Sequence, residues 1–99
     1  MGEPSGQVTV LLPRALAEHA GGTRVLTLDV DEDMSLATVL DLLRQTAPAV
    51  GRRVQDETGA IRGFVNVFVG DDECRTLDGL ATPVPPGSTL FIIGSVAGG

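Results

Sequence analysis

Lysine, tryptophan and tyrosine are absent from these 99 residues, and cysteine and histidine occur once each, as Cys74 and His19. Without lysine the chain can form no lysine Schiff base and offers no P-loop lysine to a phosphate. A lone cysteine excludes an internal disulfide and a cysteine-ligated iron–sulfur cluster, and points to a reducing compartment. Cys74 stands between Glu73 and Arg75, where nothing implies a depressed pKa, so it reads as an ordinary strand or loop residue. His19 is far from it in sequence, and nothing supports a Cys–His pair. No Gly-x-Ser-x-Gly elbow is present. No apolar run is long enough to span a bilayer, and the polar start Met1–Gln7 has neither a signal-peptide core nor a myristoylation pattern. The cytoplasm is the expected location. All seven basic residues are arginines, and the net charge of −6 argues against nucleic-acid or anionic-membrane partners.

A chain of this length makes one domain that buries a little over ~60% of its unfolded surface. Val8, Val10 and Leu12 alternate with Thr9 and Leu11, a first strand ended by Pro13. A loop or helical turn around Ala15-Leu16-Ala17 leads to Gly21-Gly22. A second strand over Val25–Val30, with Val25, Thr27 and Asp29 on one face, can pair with the first as a hairpin. Ser35 is a helix N-cap, with Asp31, Glu32 and Asp33 placed favourably near the helix start. Leu36, Val39, Leu40 and Leu43 give the stripe of a half-buried helix over about Ser35–Thr46, and Pro48 marks its end. Arg52, Arg53, Asp56 and Glu57 read as a polar connection. Phe64–Val69 is the most strand-like segment. Gly70–Glu73 turns the chain toward a short strand around Cys74–Thr76, and Leu77–Pro86 is a loop or helical turn before a closing strand over Ser88–Ile93. The fold class is α+β, a small mixed sheet packed on one main helix, with a domain over 1–93 and a flexible tail over 94–99.

Few residues offer chemistry inside the domain. Asp29-x-Asp31-x-Asp33 resembles the opening of a calcium loop, but Met34 stands where the turn glycine belongs and Leu40 where the bidentate glutamate belongs. These acids read as turn charges, and no metal site is expected. Asp71, Asp72 and Glu73 read as a solvated turn. Self-contained catalysis finds no support.

The tail is different. The apolar strand Leu90-Phe91-Ile92-Ile93 releases Gly94-Ser95-Val96-Ala97-Gly98-Gly99, six residues that could reach about 20 Å fully extended. Gly98 and Gly99 lack Cβ atoms and can pass a narrow channel. A terminal carboxylate is ionised at neutral pH and can attack the α-phosphate of ATP to become an acyl-adenylate. The competing reading is a frayed end.

The sheet also has a surplus of apolar residues. Phe64 and Phe68 share a face with Asn66, opposite three valines, and Phe91 and Ile93 oppose Leu90 and Ile92. One helix covers one face, so either the loops around Leu16 or Leu80 bury the surplus, or it is a docking patch. The docking reading places Phe91, Ile93, Phe64 and Phe68 at its centre, with Asp71 and Asp72 as a charged rim facing arginines or lysines of the partner.

The order of elements, the apolar last strand and the Gly-Gly end resemble the β-grasp, ubiquitin-like sulfur carriers of the ThiS/MoaD family. Phe64-Val65-Asn66-Val67-Phe68-Val69, Gly79-Leu80-Ala81-Thr82 and Val96-Ala97-Gly98-Gly99 look particularly like the CysO-type carriers of actinobacterial cysteine biosynthesis. The resemblance implies that an E1-like adenylyltransferase uses ATP and magnesium to adenylate Gly99, with Gly98 as spacer and Val96 and Ala97 gripped beside them. It implies a rhodanese-type or other sulfur donor that converts the adenylate to a thiocarboxylate, and a sulfur-accepting synthase. In the cysteine pathway a metalloprotease then releases the product. The carrier itself binds no cofactor and is a cosubstrate, not an enzyme. Two other readings stay open: a small subunit of molybdopterin synthase, and a β-grasp adaptor whose Gly-Gly end is incidental.

Overall fold

The structure, a computed structural model, describes residues 6–94. Strand β1 (Gly6–Leu11) turns Val8 and Val10 into the core. A short helix α1 (Arg14–Ala17) and a 3-10 turn (Glu18–Ala20) then carry the chain to Gly21, whose positive φ of 67° suits a glycine. Strand β2 (Val25–Val30) returns antiparallel to β1, in a register from Leu11↔Val25 to Gly6↔Val30. The expected hairpin is present, with helical turns in its connection.

Helix α2 (Leu36–Thr46) begins where the sequence places it. The Ser35 hydroxyl accepts the Thr38 N–H at 3.3 Å, and Leu36, Val39, Leu40 and Leu43 are buried. Asp31, Glu32 and Asp33 are not in its first turn; they form the preceding bend, in which Asp33 adopts a φ of 64°. Pro48 does not only end α2; it opens helix α3 (Pro48–Val54), so Arg52 and Arg53 are helical. Ala47 breaks the run at φ −139°, and proline at a first helical position forfeits only an N–H that would have no partner there. Val50, Gly51 and Val54 face inward. A Cβ on Gly51 would lie 2.8 Å from the Arg44 Cα, so glycine is what lets α3 lie close on α2.

Strand β3 (Val65–Val69) starts one residue later than expected, leaving Phe64 in the turn before it. Strand β4 is Asp72–Glu73, and the strand expected at Cys74–Thr76 is a 3-10 turn instead. The cause is local: the Glu73 carboxylate caps the turn by accepting the Arg75 N–H at 3.0 Å. Between Leu77 and Pro86 a 3-10 turn (Gly79–Ala81) leads to the carbonyl of Thr82, which accepts the Leu36 N–H at 2.8 Å and ties this loop to the start of α2. Strand β5 (Thr89–Gly94) closes the chain, and Gly94, counted with the tail on sequence grounds, pairs with Val65.

The sheet order is β2-β1-β5-β3-β4. Strand β5 lies in the middle, parallel to β1 and antiparallel to β3. Its Leu90 and Ile92 join Val8, Val10, Val65 and Val67 in one core with the buried stripe of α2 and the inner side of α3. This is the β-grasp arrangement, an α+β fold with a second short helix beside the main one.

Candidate functional site

Gly98, Gly99, Val96 and Ala97 lie outside the described residues. The part of the site that can be built is the root of the tail, at Gly94. Strand β5 is central, but its pairing with β1 stops at Phe91; its last residues, Ile92 to Gly94, run on along β3 alone, and Gly94 is exposed there. The fold therefore fixes where the tail starts.

Period-two alternation along β5 buries Leu90 and Ile92 and leaves Phe91 and Ile93 41% and 46% exposed. Neither the Leu16 loop nor the Leu80 loop covers them. Across the strands, Phe91 is level with Phe68 on one side and Leu11 on the other, and Leu11 is level with Val25. An apolar row thus crosses four strands on the face opposite the helices, with Phe68 and Leu11 half-buried and Val25 exposed. Leu11 and Val25 were missing from the expected patch. Their signal was already in the alternation, since each falls on the strand face opposite the buried residues. Asn66 is level with Ile93 on the same face.

Phe64 is not part of this row. Standing before β3, it is 55% exposed and lines a separate groove of about 500 Å³ with Leu16, His19, Arg53 and Gly94. Arg75 holds that turn in place. Its guanidinium donates to the carbonyls of Arg62 and Val65 at 3.1 and 3.0 Å, and to the Asn66 side-chain oxygen at 3.2 Å.

Asp71 and Asp72 are exposed, but they do not surround the tail root. Val69 pairs with both Leu90 and Asp72, whereas Val65 pairs with Gly94. The acidic turn is therefore at the other end of β3, about 13 Å away along the strand. Sequence adjacency to an apolar strand could not reveal which end of it the acids occupy.

Cys74 is fully buried. Burial pushes its thiol above the usual range, and the charge of Glu73 adds to this, with a weak Sγ–H bond to that carboxylate at 3.6 Å. A thiol held protonated is a poor nucleophile. Among the described residues no helix is long and apolar enough to cross a membrane.

No protein-family model matches the chain. The sulfur carrier protein CysO of Mycobacterium tuberculosis is 33% identical over 94 residues, which covers 93% of this chain and 98% of that protein. Among solved structures, the crystal structure of SAMP1 from Haloferax volcanii superposes with a TM-score of 0.81 at 30% identity, covering 95% of this chain and all of that one. The crystal structure of the Amycolatopsis orientalis BexX/CysO complex gives a TM-score of 0.77 at 30% identity, covering 93% of this chain and 99% of that one.

Proposed function

This chain belongs to the ubiquitin-like sulfur carrier family, and from that premise we propose that the carboxylate of Gly99 is activated, exchanged for a thiocarboxylate and used as a sulfur donor. The observation that carries this reading is the likeness to a sulfur carrier along 93% of the chain. The fold supports it: a central strand ends at an exposed glycine, Gly94.

A carboxylate is a poor acyl electrophile. Attack of one of its oxygens on the α-phosphate of ATP expels pyrophosphate and leaves an acyl-adenylate, and sulfur then displaces AMP. The adenylation belongs to an E1-like enzyme that supplies ATP and magnesium, and the sulfur to a rhodanese-type or other donor. This chain contributes the acid, a narrow glycine spacer at Gly98, and a surface by which it is selected. It is consumed and regenerated, which makes it a cosubstrate. The CysO likeness favours cysteine biosynthesis as the destination, with a sulfur-accepting synthase and a metalloprotease as later partners. That a relative forms a complex with BexX supports docking onto a protein partner.

Recognition needs more than a short tail, because a free acid on a glycine pair is common to many peptides. Exposed Phe91, Ile93 and Val25, with half-buried Leu11 between the strands, supply an apolar contact next to the tail root, suited to the activating enzyme. ATP–pyrophosphate exchange by the host's E1-like enzyme tests the activation step. The exchange is expected to depend on this chain and to vanish when Gly98-Gly99 are removed. Exchange that is indifferent to the chain, or to its last two residues, would remove Gly99 from the reaction.

A further inference from the structure

Two clusters of acids lie far from the root of the tail. Asp29 is the last but one residue of β2, at the end that pairs with Gly6, and Asp31, Glu32 and Asp33 follow it; Asp71 and Asp72 stand where β3 turns into β4, so both groups lie at the end away from Gly94. The root of the tail is the opposite. On one side of it the groove between α1 and the start of β3 contains Arg53 and His19 against Leu16 and Phe64, with no acidic side chain in its lining. On the other side, the depression bounded by Phe91 and Val25 contains Arg24, again with no acid. Glu18, next to His19 in sequence, lies outside the groove. The ion pairs among the described residues are Arg44–Asp41 and Arg75–Glu73, so Arg24 and Arg53 have no carboxylate partner among them. Among the described residues, Arg53 donates to the Ala49 carbonyl of its own helix, at 2.9 Å. Two cations thus stand on the two sides of the end of β5 in a chain of net charge −6.

We propose that the tail root is a cationic docking collar, in which Arg53 and His19 beside Phe64, and Arg24 beside Phe91, receive the acidic, apolar-centred mouth of the activating enzyme's tail channel. This rests on the carrier reading above and reverses the charge expected of the partner: carboxylates, rather than arginines or lysines, face the tail root. The far acidic pole then has a distinct effect. Unpaired arginines beside Gly94 and two acidic clusters at the far end of the strands favour approach of an acidic mouth to the tail root. Phe64 and Phe91 supply the apolar anchors on the two sides of Gly94, and the arginines supply charge selection around them.

The test is a calorimetric titration of the host's E1-like enzyme with the unaltered chain and with Arg53→Glu, Phe64→Asp and Asp72→Arg, at low and high salt, with circular dichroism confirming the fold of each. Arg53→Glu and Phe64→Asp are expected to weaken binding by about tenfold or more, and Asp72→Arg by less than about twofold. Added salt is expected to weaken the unaltered chain more than Arg53→Glu. Arg53→Glu is at an exposed position and remains informative if Phe64→Asp fails to fold. Unchanged affinity of Arg53→Glu, or a larger loss from Asp72→Arg, overturns the collar. Tighter binding by Arg53→Glu also overturns it, because Arg53 would then be restraining the tail. So does a dimer of the unaltered chain, seen by sedimentation, that Phe64→Asp dissolves. Intact mass after adding ATP and a sulfide source separates the two levels of the account. The expected binding pattern without mass gain contradicts the carrier reading alone, mass gain indifferent to Arg53 contradicts the collar alone, and no binding by the unaltered chain contradicts both.

Discussion

Phe91 and Leu90 are neighbours on β5 with opposite consequences, and replacing each by aspartate separates docking from folding. Phe91 is 41% exposed, so folding covers roughly half of a side chain whose full burial is worth ~1.5–3 kcal/mol, giving about 1–1.5 kcal/mol at stake. Loss of the cross-strand contacts with Phe68 and Leu11 adds about 0.2–1 kcal/mol. The poor strand propensity of aspartate adds up to about 1 kcal/mol. Phe91→Asp should therefore cost about 1–3.5 kcal/mol, against a stability of about 5–15 kcal/mol for a domain of this kind. It stays folded. Leu90 is fully buried, and an unpaired carboxylate there costs upwards of about 4–5 kcal/mol, enough to unfold much of the population. Urea titration followed by far-UV circular dichroism measures both, since the chain has no tryptophan or tyrosine to report by fluorescence. Folded Phe91→Asp should bind the activating enzyme far more weakly than the unaltered chain. Unfolding by Phe91→Asp would show that its side chain belongs to the core, and normal activation of the folded variant would remove the sheet face from recognition.

In the same urea assay Leu40→Ala should lose about 2–5 kcal/mol, and a loss below about half a kcal/mol would mean that α2 packs through another face. Gly51→Ala should destabilise by about 1–3 kcal/mol despite alanine's better helix propensity, because its Cβ meets the backbone of Arg44; a gain in stability would show that α3 can shift away from α2. Removing Gly98-Gly99 should leave the melting temperature unchanged and abolish ATP-dependent modification, and Gly98→Val should block modification by bulk at the activating channel. Cys74 should resist an alkylating reagent in the folded protein up to a pH above the ordinary thiol range and react once urea unfolds the chain; ready alkylation of the folded form would contradict its burial.

The core was legible from the sequence because periodicity states it directly. The stripe Leu36, Val39, Leu40 and Leu43 and the alternations in β1, β2 and β5 are all local patterns. Helix α3 was not legible, because Pro48 is compatible both with ending one helix and with beginning another. Only the tertiary contact at Gly51 decides between them. Phe64 was assigned to the sheet face by extrapolating the alternation past the residue where β3 starts. The distance of Asp71 and Asp72 from the tail is a matter of strand direction, which pairing sets and composition does not. The same holds for the collar: Arg24 and Arg53 are 29 positions apart in the sequence, and only the fold brings them to the two sides of Gly94.

Intact-mass analysis of the protein purified from its native host tests the central claim most directly. A carrier should show a fraction of molecules in which one sulfur replaces one oxygen, with fragmentation placing the exchange at Gly99. That fraction should rise when the sulfur-accepting enzyme is removed and disappear when the E1-like enzyme is removed. A chain carrying only an unmodified Gly99 under all three conditions would contradict the account.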